Sequence, residues 1–284
     1  MMANEELVST AEMAYPQPKI NTIHVSDLKE VWDKGLEDFK EMPTHLVFLC
    51  FIYPIVTLIF ARAYAGFDMV PLVFPILAGY TLIGPLVATS MYELSRRREY
   101  GLDQSRMHVF DILKYSTIRP VAVLGLLLMV IYIVWLCGAQ VIYDSNFGGS
   151  SGLVPIRLVD SAEANPALSA PDSVGELANM IFTTAAGWTL IIVGCFVGLV
   201  FAVAVLALSV VSFPMILDRH VSAMTAARTS VRAVLANPVT MAVWGIIVAS
   251  ALLIGSLPLF VGLAVVLPVL GHATWHLYRK VVAD

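Results

Sequence analysis

The sequence predicts an all-α integral membrane protein in which six transmembrane helices form three repeated units, each an amphipathic surface helix followed by a transmembrane hairpin. The first observation is composition: 58% of the 284 residues are hydrophobic and 13% are charged, and the mean hydropathy is +0.81. A soluble domain is about half apolar and about one-quarter charged. The second observation is that the charges are concentrated between long apolar stretches. No soluble fold could bury that much apolar surface.

Six stretches are long enough to cross a bilayer, for which about 20 mostly apolar residues are needed. They are residues 45–65, 69–92, 121–141, 185–211, 239–257 and 259–278. The fourth apolar stretch continues to Leu217, so we expect that helix to be tilted or to protrude.

The distribution of Lys and Arg predicts the orientation. With these six helices, 15 of the 17 basic residues fall on one face of the membrane, and the other face keeps Arg62 and Arg157. Basic residues are retained on the cytoplasmic side. We therefore predict a multi-pass protein of the bacterial inner membrane with cytoplasmic N- and C-termini and a periplasmic loop at 142–184.

The chain divides into a tail and a membrane domain. Residues 1–25 are polar and acidic and lack the basic start and apolar core of a signal peptide, so we expect a disordered cytoplasmic tail. Residues 26–284 form the six-helix membrane domain.

Surface helices are predicted from amphipathic stretches that end at a proline before an apolar run. Before Pro43, one side of a helix would carry the apolar residues Leu28, Val31, Trp32, Leu36 and Phe39. Such a helix should lie along the membrane surface. Similar stretches precede Pro120 and Pro238.

The ends of the even-numbered helices support the repeat. GPLVATSMYELSRR, ALSVVSFPMILDR and LPVLGHATWHLYRK each end in a basic residue, and Pro85 and Pro268 both stand eleven residues before theirs. We predict units at about 26–92, 107–217 and 222–280.

Two histidines are the candidate cofactor ligands. His272 and His276 are spaced i to i+4 on one side of helix 6, near its basic end. The alternative is an ordinary interfacial anchor, because aromatic and basic residues surround them. A haem held by two histidines needs them on opposite sides of the iron, which one helical face cannot supply. We therefore predict no metal and no cofactor.

Two further polar interactions are candidates. Glu93 lies in register with His276 when the repeats are aligned, so an interhelical contact between them is conceivable. Arg96, Arg97, Arg98 and Arg106 are candidates for contact with anionic lipid head groups, although such clusters also serve topology alone.

An intrinsic catalytic activity is not expected. No charged residue lies in the middle of an apolar stretch, and the sequence lacks GxSxG, HExxH and phosphate-loop motifs. The three cysteines show no paired spacing that would indicate a disulfide or zinc. The charge distribution does not favour nucleic acid binding.

Several segments resemble a bacterial integral membrane family. ALSVVSFPMILDRHVSAMTAARTSVRAVLANPVTMAVWG, the later LPLFVGLAVVLPVLGHATWHLYRKVV and the earlier GPLVATSMYELSRRREYG are similar to the family called domain of unknown function 2189. The resemblance covers the chain from about residue 26. Some members carry the label of a cytochrome c oxidase subunit.

The resemblance implies a respiratory role, but this chain cannot be the catalytic subunit. That subunit needs about a dozen helices and several intramembrane histidines for its haems and copper. We therefore expect a non-catalytic accessory or assembly subunit of a larger inner-membrane complex of the cytochrome c oxidase type, in contact with membrane lipids. The alternative is a small-molecule or lipid transporter.

Overall fold

The computed structural model describes residues 18–42, 84–102, 118–147, 174–258 and 261–283, and these residues are helical apart from short connections. Nine helices are described in chain order, numbered α1 to α9. They are α1 Asp27–Glu41, α2 Gly84–Glu99, α3 Ile118–Phe147, α4 Val174–Thr183, α5 Ala185–Ser209, α6 Ser212–Arg219, α7 Ala223–Ala236, α8 Pro238–Ser256 and α9 Leu263–Val281.

Three helical stretches are long and apolar enough to cross a membrane. They are Ile118–Phe147, the consecutive helices α5 and α6 over Ala185–Arg219, and Pro238–Ser256. They agree with the third, fourth and fifth predicted spans. The first predicted span, and the second up to residue 83, lie outside the described residues.

The outer faces of α3, α5 and α8 carry large apolar side chains. Leu126 is 67% exposed, Phe196 68% and Leu253 66%. In water such a surface would be strongly unfavourable, whereas in a bilayer it faces acyl chains at little cost. These faces are therefore suited to a lipid environment.

Helix α9 differs from the three apolar helices because its neighbours enclose it. Of its 19 residues, 13 are buried, among them Trp275 and Tyr278. It packs against α1, α2, α6 and α8. The segment predicted as the sixth span is thus a helix in the interior of the described bundle.

Two glycines let the helices around α9 come close. A methyl group added at Gly35 of α1 would lie 2.6 Å from Cβ of Ala273, and one added at Gly271 would lie 2.7 Å from Cβ of Met91 in α2. Real Cβ atoms do not approach so closely, so glycine is needed at both crossings.

Residues 18–25, which fall within the predicted tail, contact distant parts of the chain. Ile20 pairs with Val282 in an antiparallel bridge, and Asn21 N donates to the carbonyl of Val281 at 2.8 Å. The Asn237 side chain accepts a hydrogen bond from Ile23 N at 2.8 Å. These long-range contacts order a polar segment that has no helical or strand periodicity of its own.

Candidate functional site

A buried polar network lies where α1, α2 and α9 meet. Asp38 of α1 is 4% exposed, Ser95 of α2 is 1% exposed and His272 of α9 is fully buried. Asp38 reaches this position because it shares one helical face with Leu28, Val31 and Gly35. The close crossing at Gly35 then holds that face against α9.

Asp38 accepts hydrogen bonds from three side chains. Ser95 Oγ lies 2.6 Å from Oδ2, His276 Nε2 lies 2.9 Å from the same oxygen, and Arg98 Nη1 lies 2.6 Å from Oδ1. The second guanidinium nitrogen of Arg98 donates to Glu37 at 2.9 Å. One carboxylate thus joins the amphipathic helix α1 to both other helices.

The environment favours the ionised form of Asp38. Burial by itself raises the pKa of this carboxyl, but hydrogen bonds from His276 and Ser95 and the charge of His276 outweigh it, and the net pKa is lowered. The ion pair with Arg98 acts in the same direction. A carboxylate is therefore the species that holds the three helices together.

His272 forms the inner end of the network. Its Nδ1 lies 2.7 Å from Ser95 Oγ. Because Ser95 gives its single hydroxyl proton to Asp38, Nδ1 must carry the proton that is donated to Ser95. Nε2 is then an unprotonated acceptor, and it has no hydrogen-bond partner among the described residues.

The network contains serine, histidine and aspartate but lacks the arrangement of a hydrolase triad. In a triad the histidine stands between the other two and the serine is open to substrate. Here Ser95 stands between Asp38 and His272 and is 1% exposed. Its hydroxyl therefore serves as a bridge between helices.

A second polar cluster joins α2, α6 and α9 beside the first. Tyr278 Oη donates to Asp218 Oδ2 at 2.6 Å, and Arg279 Nη1 lies 3.6 Å from the same oxygen. Glu99 accepts from Trp275 Nε1 at 2.8 Å and from Arg279 Nε at 2.9 Å. The Trp275 and Tyr278 side chains, which the sequence suggested as an interfacial anchor, are thus buried and hydrogen-bonded within the bundle.

The predicted partners Glu93 and His276 have other contacts in the structure. Glu93 accepts two hydrogen bonds from Arg96, at 2.8 and 3.0 Å, and one from Arg97 at 2.9 Å. His276 binds Asp38 instead. The repeat alignment placed the two residues at one level of the bundle but could not include Asp38 from a third helix.

The candidate lipid-binding arginines of α2 all bind carboxylates of this chain. Arg96 and Arg97 bind Glu93, and Arg98 binds Asp38 and Glu37. Arg106 lies outside the described residues. Contact of these four arginines with lipid head groups stays a prediction.

A metal ion has no suitable group of ligands in the part of the chain that the structure describes, since no three His, Cys, Asp or Glu side chains are arranged to hold one. His272 and His276 both face Asp38, at 4.0 and 2.9 Å from Oδ2. Their shared direction reflects the i to i+4 spacing that the sequence showed.

Sequence reasoning missed Asp38 and Ser95. The signal for Asp38 was available, because it falls on the buried face of α1 ten residues after Leu28 and seven after Val31, an unusual place for a carboxylate. The apolar side predicted from the sequence contained Leu36 and Phe39 and not Asp38, yet Leu36 and Phe39 are only partly buried. Ser95 carried no signal of its own.

Comparison with known proteins gives one family. The sequence model of a family described as predicted integral membrane protein (DUF2189) matches residues 73–218, which are about half of the chain. The segment GHATWHLYRK, although it resembles the same family, lies beyond that match. No curated protein and no solved structure matches the chain.

Proposed function

Because the chain belongs to DUF2189, a family of predicted integral membrane proteins, we propose that it is a non-catalytic accessory or assembly subunit of a larger complex in the bacterial inner membrane. The complex we propose is respiratory, of the cytochrome c oxidase type. The observation that supports a packing role is the extent of apolar helix surface left open. Among the described residues, the most apolar window of Ala185–Arg219 has only 6% of its residues buried.

The polar side chains of the described bundle support the same role. The carboxylates Asp38, Glu93, Glu99 and Asp218 are each bound by side chains of neighbouring residues or helices. Interactions of this kind hold a scaffold together and do not require a substrate. The apolar faces are then the surfaces left for packing against lipid or another subunit.

We propose six transmembrane helices with both termini in the cytoplasm. The pairing of Ile20 with Val282 supports this arrangement, because segments that hydrogen-bond to each other lie on one side of the membrane. Termini on one side require an even number of crossings, and the distribution of Lys and Arg favours the cytoplasmic side.

The threefold repeat also belongs to this proposal, and two observations support it. Buried residues occupy equivalent positions in α1 and α7 when they are counted back from the proline that follows each helix. Val31 and Ala226 each lie twelve residues before that proline, and Asp38 and Ala233 each lie five residues before it. Helix α1 packs on α9, which corresponds to the sixth predicted span, and α7 packs on α5 and α6, which correspond to the fourth. Each of these two surface helices thus lies on the second span of another unit. The stretch 107–117, which would be the remaining surface helix, lies outside the described residues.

Cysteine labelling of intact cells tests the topology. In a variant without native cysteines, a cysteine at Ser150 should react with a membrane-impermeant reagent, whereas one at the exposed Lys40 should react only after the membrane is opened. The opposite pattern would invert the proposed orientation.

Isolation of the native protein in mild detergent tests the function. Mass spectrometry should find the chain in constant ratio with the subunits of a larger respiratory complex. A lone oligomer with no such subunits would exclude the accessory role and favour the alternative, a small-molecule or lipid transporter whose three hairpins surround a path.

A further inference from the structure

Helix α7 has an outward face that combines basic and apolar residues. Arg228, Arg232, Met224 and Leu235 are exposed, the last two at 56% and 73%. They fall within one side of the helix because their spacings are close to whole turns. The opposite side, which contains Ala226 and Ala233, is buried.

The position of α7 places this face at the membrane boundary. Helix α7 ends at Ala236, and the membrane-spanning α8 begins at Pro238. At about 1.5 Å per residue, the backbone of Arg232 lies roughly 9 Å and that of Arg228 roughly 15 Å before the start of α8. Val239, in the first turn of α8, is also an exposed apolar residue, at 69%.

The charge of α7 distinguishes it from α1, the other described helix that was predicted as a surface helix. Helix α7 contains two arginines and no acidic residue, whereas α1 contains six carboxylates and three lysines. The residues of α7 itself thus carry net positive charge, and those of α1 carry net negative charge.

We propose that the Arg228 and Arg232 face of α7 binds the phosphate head groups of anionic phospholipids, with Met224, Leu235 and Val239 in contact with the upper acyl chains. A basic amphipathic helix at an interface has this preference, to which each Lys or Arg contributes separately. Other contacts of the two guanidinium groups do not prevent it, because each carries five N–H donors. The proposal is independent of the accessory role, since it concerns lipid alone.

Native mass spectrometry of the full chain tests the proposal. The protein would be titrated in detergent with phosphatidylglycerol and, separately, with phosphatidylcholine. We expect tighter binding of phosphatidylglycerol, and we expect Arg228→Gln with Arg232→Gln to weaken it about tenfold or more. Phosphatidylcholine binding should change little, because its head group has no net charge.

The matched control removes the same number of charges from α1. Lys29→Gln with Lys34→Gln should leave the preference intact, and Arg228→Lys with Arg232→Lys, which keeps the charge, should retain most of it. Absence of a phosphatidylglycerol preference in the native chain would overturn the proposal, as would an equal loss in the α1 control. Inorganic phosphate that displaces the lipid completely would identify an anion site and would likewise overturn it.

Discussion

The outer surface of α3, α5 and α8 and the junction of α1, α2 and α9 are stabilised in different ways. On the outer surface, side chains such as Phe196 and Leu253 are about two-thirds exposed and have no directional contacts. At the junction, Asp38 is 4% exposed and has three donors within 2.9 Å. The outer surface requires only that its residues be apolar, whereas the junction requires particular residues in particular positions. Mutations should therefore be tolerated on the first and not at the second.

The largest expected effect is that of Asp38→Ala. It would leave Arg98 and His276 at the junction without their shared acceptor; breaking a fully buried ion pair costs about 3–5 kcal/mol, and this partly buried pair should cost up to about 3 kcal/mol. Thermal unfolding of the purified protein in detergent measures the loss. On the same helix, the exposed Asp33→Ala should change stability by about 0.5 kcal/mol or less. Equal effects of the two substitutions would remove the proposed difference between buried and exposed carboxylates.

A smaller effect is expected from replacing a glycine by alanine, a substitution that can be made separately in each of the two regions. Gly35→Ala would place a methyl group 2.6 Å from Ala273 Cβ and should cost about 1–3 kcal/mol, because α1 must move away from α9. A methyl group added at Gly138 in α3 would have no atom within 4 Å apart from its chain neighbours and the backbone of its own helix. Gly138→Ala should be neutral or stabilise by up to about 1 kcal/mol through helix propensity. Unfolding midpoints of the two variants would give the comparison, and a tolerated Gly35→Ala would argue against the close crossing.

The junction should also respond to acid. The pKa of Asp38 in the folded protein lies below its ordinary value of 3.8. The stabilisation by its ionised form is therefore complete above that value and is lost as the pH falls through the lowered folded pKa. Asp38→Asn should be less stable than the native chain at neutral pH, and the difference should shrink below about pH 4. Unfolding curves recorded across this range would show whether the two stabilities converge; a constant difference would mean that Asp38 is not ionised in the native chain.

The smallest effect concerns an ion pair at the rim of the same junction. Lys280 Nζ lies 2.8 Å from Glu30 Oε2, and the two side chains are 27% and 51% exposed. Lys280→Ala should cost about 1 kcal/mol or less, because exposed pairs are screened by solvent. The cost should fall further in high salt, whereas the cost of Asp38→Ala should not. A large, salt-independent effect of Lys280→Ala would place it with the buried network.

The sequence was sufficient for the outer region because hydropathy decides it. Residues 121–141, 185–211 and 239–257 were predicted as spans, and α3, α5 and α8 contain nearly all of them. The histidines on one face of α9 were also predicted, because an i to i+4 spacing depends on local geometry alone.

The junction could not be predicted because its contacts are long-range. Asp38 and His276 are 238 residues apart, and Ser95 and His272 are 177 apart. The repeat alignment paired Glu93 with His276, yet each has other partners, since alignment compares equivalent positions and cannot show which helix crosses which. The contacts of residues 18–25 could not be predicted for the same reason, because Asn237 lies 214 residues after Ile23 and Val282 lies further still along the chain.

The contact between α1 and α9 has a consequence for the synthesis of the protein. Helix α1 leaves the ribosome long before α9, yet Gly35 packs on Ala273 of α9, and Asp38 accepts one of its three hydrogen bonds from His276 of α9. Domains of a nascent chain usually begin to fold from the N-terminal end. Here Asp38 can pair with Ser95 and Arg98 of α2 early, but α1 must wait for its contact with α9, because His276 lies 238 residues after Asp38. A nascent chain that stops before His272 would leave the side of α1 that packs on α9 uncovered, which gives the cell a feature by which a copy without α9 differs from one that has it.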